Sequence, residues 1–172
     1  MSFWPRLRKF LGLKAADFSA TFPEHLMTAS RGALQINRSK LHVGGKVALV
    51  FCHFEADERE GEPGASFHPD LSELADPESW GKIFDRRYTE ILRVWRDLLL
   101  AQTSRMNKRL SGWLPPSSSV EDLVRSLQLE RILVSQDESV TVRFVTAPLI
   151  KHHDLGVNMS RDNTVISVEV EG

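Results

Sequence analysis

Between Asp76 and Gly112 the apolar residues Phe84, Tyr88, Ile91, Trp95 and Leu98 recur at alternating four- and three-residue steps, with Trp80 one turn earlier. That spacing places them on one face of an α-helix. Asp76 can accept a hydrogen bond from an unpaired N–H of the first turn, Pro77 suits the first helical position, and Glu78 favours the positive end of the helix. Gly112, Pro115 and Pro116 close the stretch. One long helix is therefore predicted over 76–112, apolar at Leu98, Leu99 and Leu100 around more than one side, as for a helix held between a sheet and another element. On its outer side Arg86 with Glu90, and Arg93 with Asp97, are expected to pair at four-residue spacing.

An apolar stripe this wide has to be buried, and the flanking segments supply strands. Leu34 and Ile36 alternate with Gln35 and Asn37, a second short strand is expected at Leu41 to Val43, and Gly44-Gly45 reads as a tight turn. From Lys46 to Phe54 the chain is apolar at both parities, the pattern of a central strand covered on both faces. Cys52 falls inside it, so its thiol is expected to be buried and inert. After the helix, Ser118 and Glu121 fit a capping box that opens a short second helix. From Leu129 the period becomes two. Leu129 to Val134 and Val140 to Val145 read as a hairpin around Asp137-Glu138, and Leu155 to Met159 and Thr164 to Val170 as another around Asp162-Asn163. The expected fold is α+β: a mainly antiparallel sheet of about five or six strands with one long helix packed on it and a short capped helix before the C-terminal strands.

At 172 residues the chain can form one domain that buries roughly 70% of its unfolded surface. Residues 30–172 are assigned to it, with 1–20 as a basic amphipathic N-terminal segment. Twenty-two Lys and Arg nearly balance 23 Asp and Glu, so no overall field recruits nucleic acid or an anionic membrane. A single cysteine excludes an internal disulfide and fits a reducing compartment, so the cytoplasm is the expected address. No apolar run approaches the ~18 to 20 residues that cross a bilayer, and a signal peptide's apolar core is not seen at the N-terminus.

Two segments stand out as interaction candidates. Residues 55–76 read as an acidic loop, with Asp57, Glu58, Glu60 and Glu62 available to a basic partner and Pro63, Gly64 and Pro69 opposing regular structure. At the N-terminus Phe3, Trp4, Leu7, Phe10 and Leu11 share a helical face beside Arg6, Arg8, Lys9 and Lys14. Trp4, Arg6 and Lys9 are the candidates there, for docking on the domain or on a second copy, which would make a homo-oligomer. Anchoring residues 1–14 on a membrane surface is the competing use.

The order Glu121-Asp122-Leu123, Leu127, Leu129-Glu130-Arg131-Ile132, Val142-Arg143-Phe144, then Leu149 to Leu155 and a final Gly172 resembles an uncharacterised bacterial domain family. In that family a short helix leads into a strand, a hairpin and a Leu-aromatic-x-Gly-His-x-Ile segment. His153 matches the family histidine, while Ile150 stands for the aromatic and His152 for the glycine. The likeness is best over 118–172, and some members lie near toxin-immunity genes. The family implies no established activity; the expected function is a non-catalytic module that binds another protein, of immunity or regulatory type, through the acidic loop or an exposed sheet face. The residues themselves give no phosphate loop and no nucleophile elbow. The densest polar cluster, His152, His153 and Asp154, would need a further ligand from elsewhere to hold a metal, which makes a metal-dependent hydrolase the alternative. No catalytic residue, cofactor or nucleic-acid partner is assigned.

Overall fold

The computed structural model describes residues 22–43, 46–70, 76–110, 112–146, 150 and 153–171. Four strands come first, β1 (His25–Thr28), β2 (Gly32–Val43), β3 (Lys46–Ala56) and β4 (Gly64–His68). Three helices follow, α1 (Pro77–Ala101), α2 (Thr103–Leu110) and α3 (Val120–Ser126), and then β5 (Gln128–Ser135), β6 (Val140–Val145), β7 (Asp154–Met159) and β8 (Val165–Glu171). All eight strands form one sheet in strict sequence order. Every neighbouring pair is antiparallel except β4 and β5, which run parallel. A parallel pair cannot be closed by a hairpin and needs a crossover, and the helices are that crossover.

This overturns the expected sheet of five or six strands with one long helix and a short capped one: among the described residues the sheet has eight strands, is mixed, and carries three helices. The two strands missed from the sequence are β1, only four residues long, and β4, which lies inside the supposed acidic loop. Pro63 and Pro69 flank β4 rather than interrupt it, and Gly64, Ala65, Ser66 and Phe67 are all buried, so no polar alternation marks it. The two short strands expected between 34 and 43 are one strand, β2, with an irregularity between Leu41 and His42.

The helix start is as its residues dictate. The Asp76 side chain accepts from the backbone N–H of Ser79 at 3.1 Å and Pro77 opens the helix. Trp80, Phe84, Tyr88, Ile91, Trp95 and Leu99 are all buried in one core with Leu26, Leu34, Phe54, Phe67, Ile132, Val142, Phe144, Leu155 and Val157. Trp80 stacks on Phe22 at 5.4 Å and meets Phe54 and Phe67, whereas Trp95 lies 4.8 Å from Phe144, so successive turns of α1 pass from β3 and β4 to β6. Twenty-five residues give a rod of about 37 Å, and eight strands span about 34 Å, so α1 is long enough to bridge the whole sheet.

Helix α1 ends at Ala101 instead of continuing to 112. Gln102 leaves the helical conformation, its side-chain Nε2 donates to Asn163 O at 2.9 Å, and its side-chain Oε1 accepts the Val165 N–H at 2.8 Å. Those bonds satisfy the outer edge of β8, which is the reason for the break. The second cap also moves by one residue: Ser119 and Asp122, not Ser118 and Glu121, form the capping box of α3. On α1, Glu90 pairs with Arg87 at 2.5 Å while Arg86 reaches Glu138 at 2.7 Å, replacing the expected Arg86–Glu90 pair. Among the described residues no helix is long and apolar enough to cross a membrane.

Candidate binding face

Side chains alternate across a strand, so the residues between the core positions must face the other way. On β2 and β3 these are Gln35, Asn37, His53 and Glu55, on β4 Ser66 and His68, on β5 Arg131 and Leu133, on β6 Thr141 and Arg143, and on β7 and β8 Asn158, Ser167 and Glu169. The described helices pack on the opposite face through the core. What remains is a polar sheet face whose side chains are tied to one another.

Glu55 is the centre of the β2–β5 side. Its carboxylate accepts from Asn37 Nδ2 at 2.7 Å, meets His53 Nε2 at 3.2 Å, and has Arg131 at 3.7 Å. The Asn37 hydrogen bond, with help from His53 and Arg131, holds its carboxyl below the usual range against the effect of burial. Arg131 lies flat over Gly64, where a Cβ would sit 3.2 Å from its guanidinium carbon, so a side chain at 64 would push it away. There its Nη1 donates to Ser66 Oγ at 3.1 Å, and Asp57 stands at 3.9 Å. His68 places its ring 5.1 Å from that of His53. Burial first, and the charge on His53 second, bring the His68 imidazole down to about 4, with Glu55 opposing. Across β6 to β8, Thr141 donates to Asn158 at 2.6 Å, and Asn158 donates to Ser167 at 2.7 Å and Glu169 at 3.0 Å. Beside Glu55 the face opens into a cleft of about 460 Å³ lined by Gln35, Asn37, Arg38, Asp57, Glu58 and Arg59, among others.

The interaction candidates of the acidic segment divide. Asp57, Glu58 and Glu60 are exposed in the β3–β4 connection, which is short and closed by paired backbone bonds between Arg59 and Glu62. Glu62 is exposed as well but is tied down by pairing with the buried Arg31, whose Nη2 also donates to Asp57 O at 2.7 Å. The tie continues inward: Arg31 lies 6.0 Å from the Tyr88 ring, and the Tyr88 hydroxyl donates to Pro63 O at 3.4 Å. This connection is therefore an anchored turn, not a loose loop.

Trp4, Arg6, Lys9 and His152 lie outside the described residues. The His153 ring sits edge-on to Trp113 at 5.3 Å, and Asp154 is exposed at the first position of β7. Among the described residues no three His, Cys, Asp or Glu side chains are grouped to hold a metal ion. Cys52 is buried, and that burial pushes its thiol up, with Arg38 partly opposing.

The network around Glu55 was not found from the sequence. Its members alternate as wet-face residues should, but the register that brings Asn37, Glu55, Ser66 and Arg131 together runs through β4, the strand that the sequence hid.

Comparison with family models, with curated proteins and with solved structures gives no match. The class is therefore defined by the fold and face alone: among the described residues, helices on one side of an eight-stranded mixed sheet and an ordered polar surface on the other.

Proposed function

We propose that the chain is a non-catalytic protein-binding module, of immunity or regulatory type, that holds its partner on the polar face of the sheet beside Asp57 and Glu58. The observation that carries this is the cross-strand network from Asn37 to Arg131, which fixes charged groups in place on a face that no described helix covers. Groups held in advance lose little freedom on association, and their opposite signs select partner and orientation more than they add raw affinity. The same bonds count against a catalytic use. Glu55 is engaged by three neighbours, and Ser66, buried beneath Arg131, accepts a hydrogen bond from a guanidinium that would disfavour its attack. The lone cysteine supports a cytoplasmic setting.

The test is affinity purification of the tagged full chain from its own cells. A stoichiometric protein partner is expected with the wild type and with the helix-side variant Lys82→Glu, and is expected to be lost with Asp57→Lys/Glu58→Lys. All three changed residues are exposed, so folding is not at issue. A partner retained equally by both variants, or no stoichiometric partner at all, would overturn the proposal.

A further inference from the structure

The antiparallel rungs between β3 and β4 end at Phe54 and Phe67, and the next residue outward on each strand is a histidine. His53 and His68 stand with ring centroids 5.1 Å apart and planes inclined by 32°. They are not equivalent. His53 is bonded to Glu55 and so has a partner for a proton, whereas His68 is more deeply enclosed at the end of β4. The His68 carbonyl accepts the Gln136 N–H at 2.9 Å, and Gln136 Oε1 accepts the Asp70 N–H at 2.7 Å. The end of β4 thus also fastens the β5–β6 turn.

We propose that His53 and His68 form an acid-sensitive latch: one proton on the pair leaves β4 seated, and the second drives the end of β4 away from β3 and from the β5–β6 turn. The charged group that meets the pair among the described residues is Glu55, 3.2 Å from His53; Arg131 stands behind it, 3.7 Å from Glu55, Asp57 lies beside Arg131, and Asp70 follows β4 in the chain. Glu55 is already engaged by Asn37, His53 and Arg131, so a second imidazolium at His68 would stand against the first with the carboxylate beside them shared.

The sign follows from the His68 imidazole being held at about 4 in the closed arrangement. Above its ordinary value of roughly 6.5 neither closed nor open form is protonated, and the latch is fully shut. Below that value only the open form takes the proton, so opening grows by about tenfold for each pH unit until the closed form titrates as well. Between pH 7.5 and 5 the cumulative gain is about thirtyfold. The inference does not rest on the proposed partner, and its test needs none.

The experiment is hydrogen exchange of the full chain, with intrinsic rates corrected for pH, combined with NMR titration of the histidine Cε1–H signals. The expected result is a loss of protection in Gly64 to His68 of about tenfold or more from pH 7.5 to 5, ahead of β6 and β7, and near-constant protection in His68→Gln. In His53→Gln the His68 midpoint should rise, because a neighbouring positive charge is gone. Wild-type His68 titrating near its ordinary value, an unmoved His68 midpoint in His53→Gln, or His68→Gln losing protection on the wild-type profile would each overturn the proposal. The His53→Gln titration decides the matter even if His68→Gln does not fold.

Discussion

Two adjacent arginines on α1 should behave in opposite ways when removed. The Arg87 side chain is buried, and its guanidinium donates to Glu138 O at 3.0 Å, Glu90 Oε2 at 2.5 Å, Asn163 Oδ1 at 2.8 Å and Ser160 O at 3.4 Å. Arg86 is mostly exposed and makes an ion pair with Glu138 at 2.7 Å. Deleting one member of a buried, hydrogen-bonded pair costs about 3 to 5 kcal/mol, because the acceptors left behind are unpaired. Glu90 keeps its bond from Asn163 Nδ2 at 2.7 Å and is partly exposed, so the lower end, about 3 kcal/mol, is expected for Arg87→Ala. Arg86→Ala should cost about 0.5 kcal/mol, as exposed pairs do. With a urea slope of about 2 kcal/mol per molar, the midpoint should fall by about 1.5 M for Arg87→Ala and by about 0.3 M for Arg86→Ala. Equal shifts, or a shift below about 0.5 M for Arg87→Ala, would show that the guanidinium is not the tie that its contacts imply. The pH profile adds a second reading. Burial pushes the Glu90 carboxyl up, but the Asn163 bond and the Arg87 charge together bring it below its ordinary value. Stability from that pairing is present above the ordinary carboxylate value and is lost as pH falls through the lowered one, so Arg87→Ala should show a shallower acid limb.

Other positions give simpler tests. Gly81→Ala would place a Cβ 2.7 Å from the Met27 carbonyl oxygen, so a loss of about 1 to 3 kcal/mol is expected in thermal unfolding despite the better helix propensity of alanine. Trp95→Ala should cost about 3 to 5 kcal/mol by urea titration, since the ring is buried against Phe144. Ser119→Ala removes one half of the α3 capping box and should cost about 1 kcal/mol, with Asp122 returning toward its ordinary carboxyl value because the Ser119 hydroxyl bond that lowers it is gone.

The parts of the fold that were legible in the sequence are those whose cause is local. Asp76 and Pro77 announce a helix start by their own chemistry, and the hairpins β5–β6 and β7–β8 follow from two-residue alternation closed by turns at Glu138 and Asn163, both at positive φ. The break at Gln102 has no local signal, because its cause is the edge of β8 some sixty residues away. Strand β4 fails for a related reason: buried on both faces between two prolines, it looks like a loop until β5 is laid beside it. The candidate face was illegible for the same cause, since Glu55 and Arg131 become neighbours only through that strand. The Glu90 partner illustrates the limit of helical spacing. Arg86 and Arg87 are both in reach, and the choice between them is made by Glu138, in a turn of the far half of the sheet.

The sheet is two four-stranded meanders joined at one parallel seam, and α1 is stitched to both. Asp85 accepts the Ala29 and Ser30 N–H groups of the β1–β2 turn at 2.8 Å each, and Tyr88 reaches Pro63 ahead of β4. Arg87 takes Glu138 in the β5–β6 turn and Asn163 in the β7–β8 turn, and Gln102 takes Asn163 and Val165. These contacts are made to turns or strand ends, the β1–β2 and β3–β4 connections at one end of the strands and the β5–β6 and β7–β8 turns at the other. The helix can therefore hold the two meanders in register without crossing the polar face, and no described helix covers the Glu55–Arg131 network. Strand β4 is held to β3 by only three rungs, and its other neighbour is the parallel seam. A strand in that position is where a small change of charge can act without unfolding the rest, and the two histidines stand at its end.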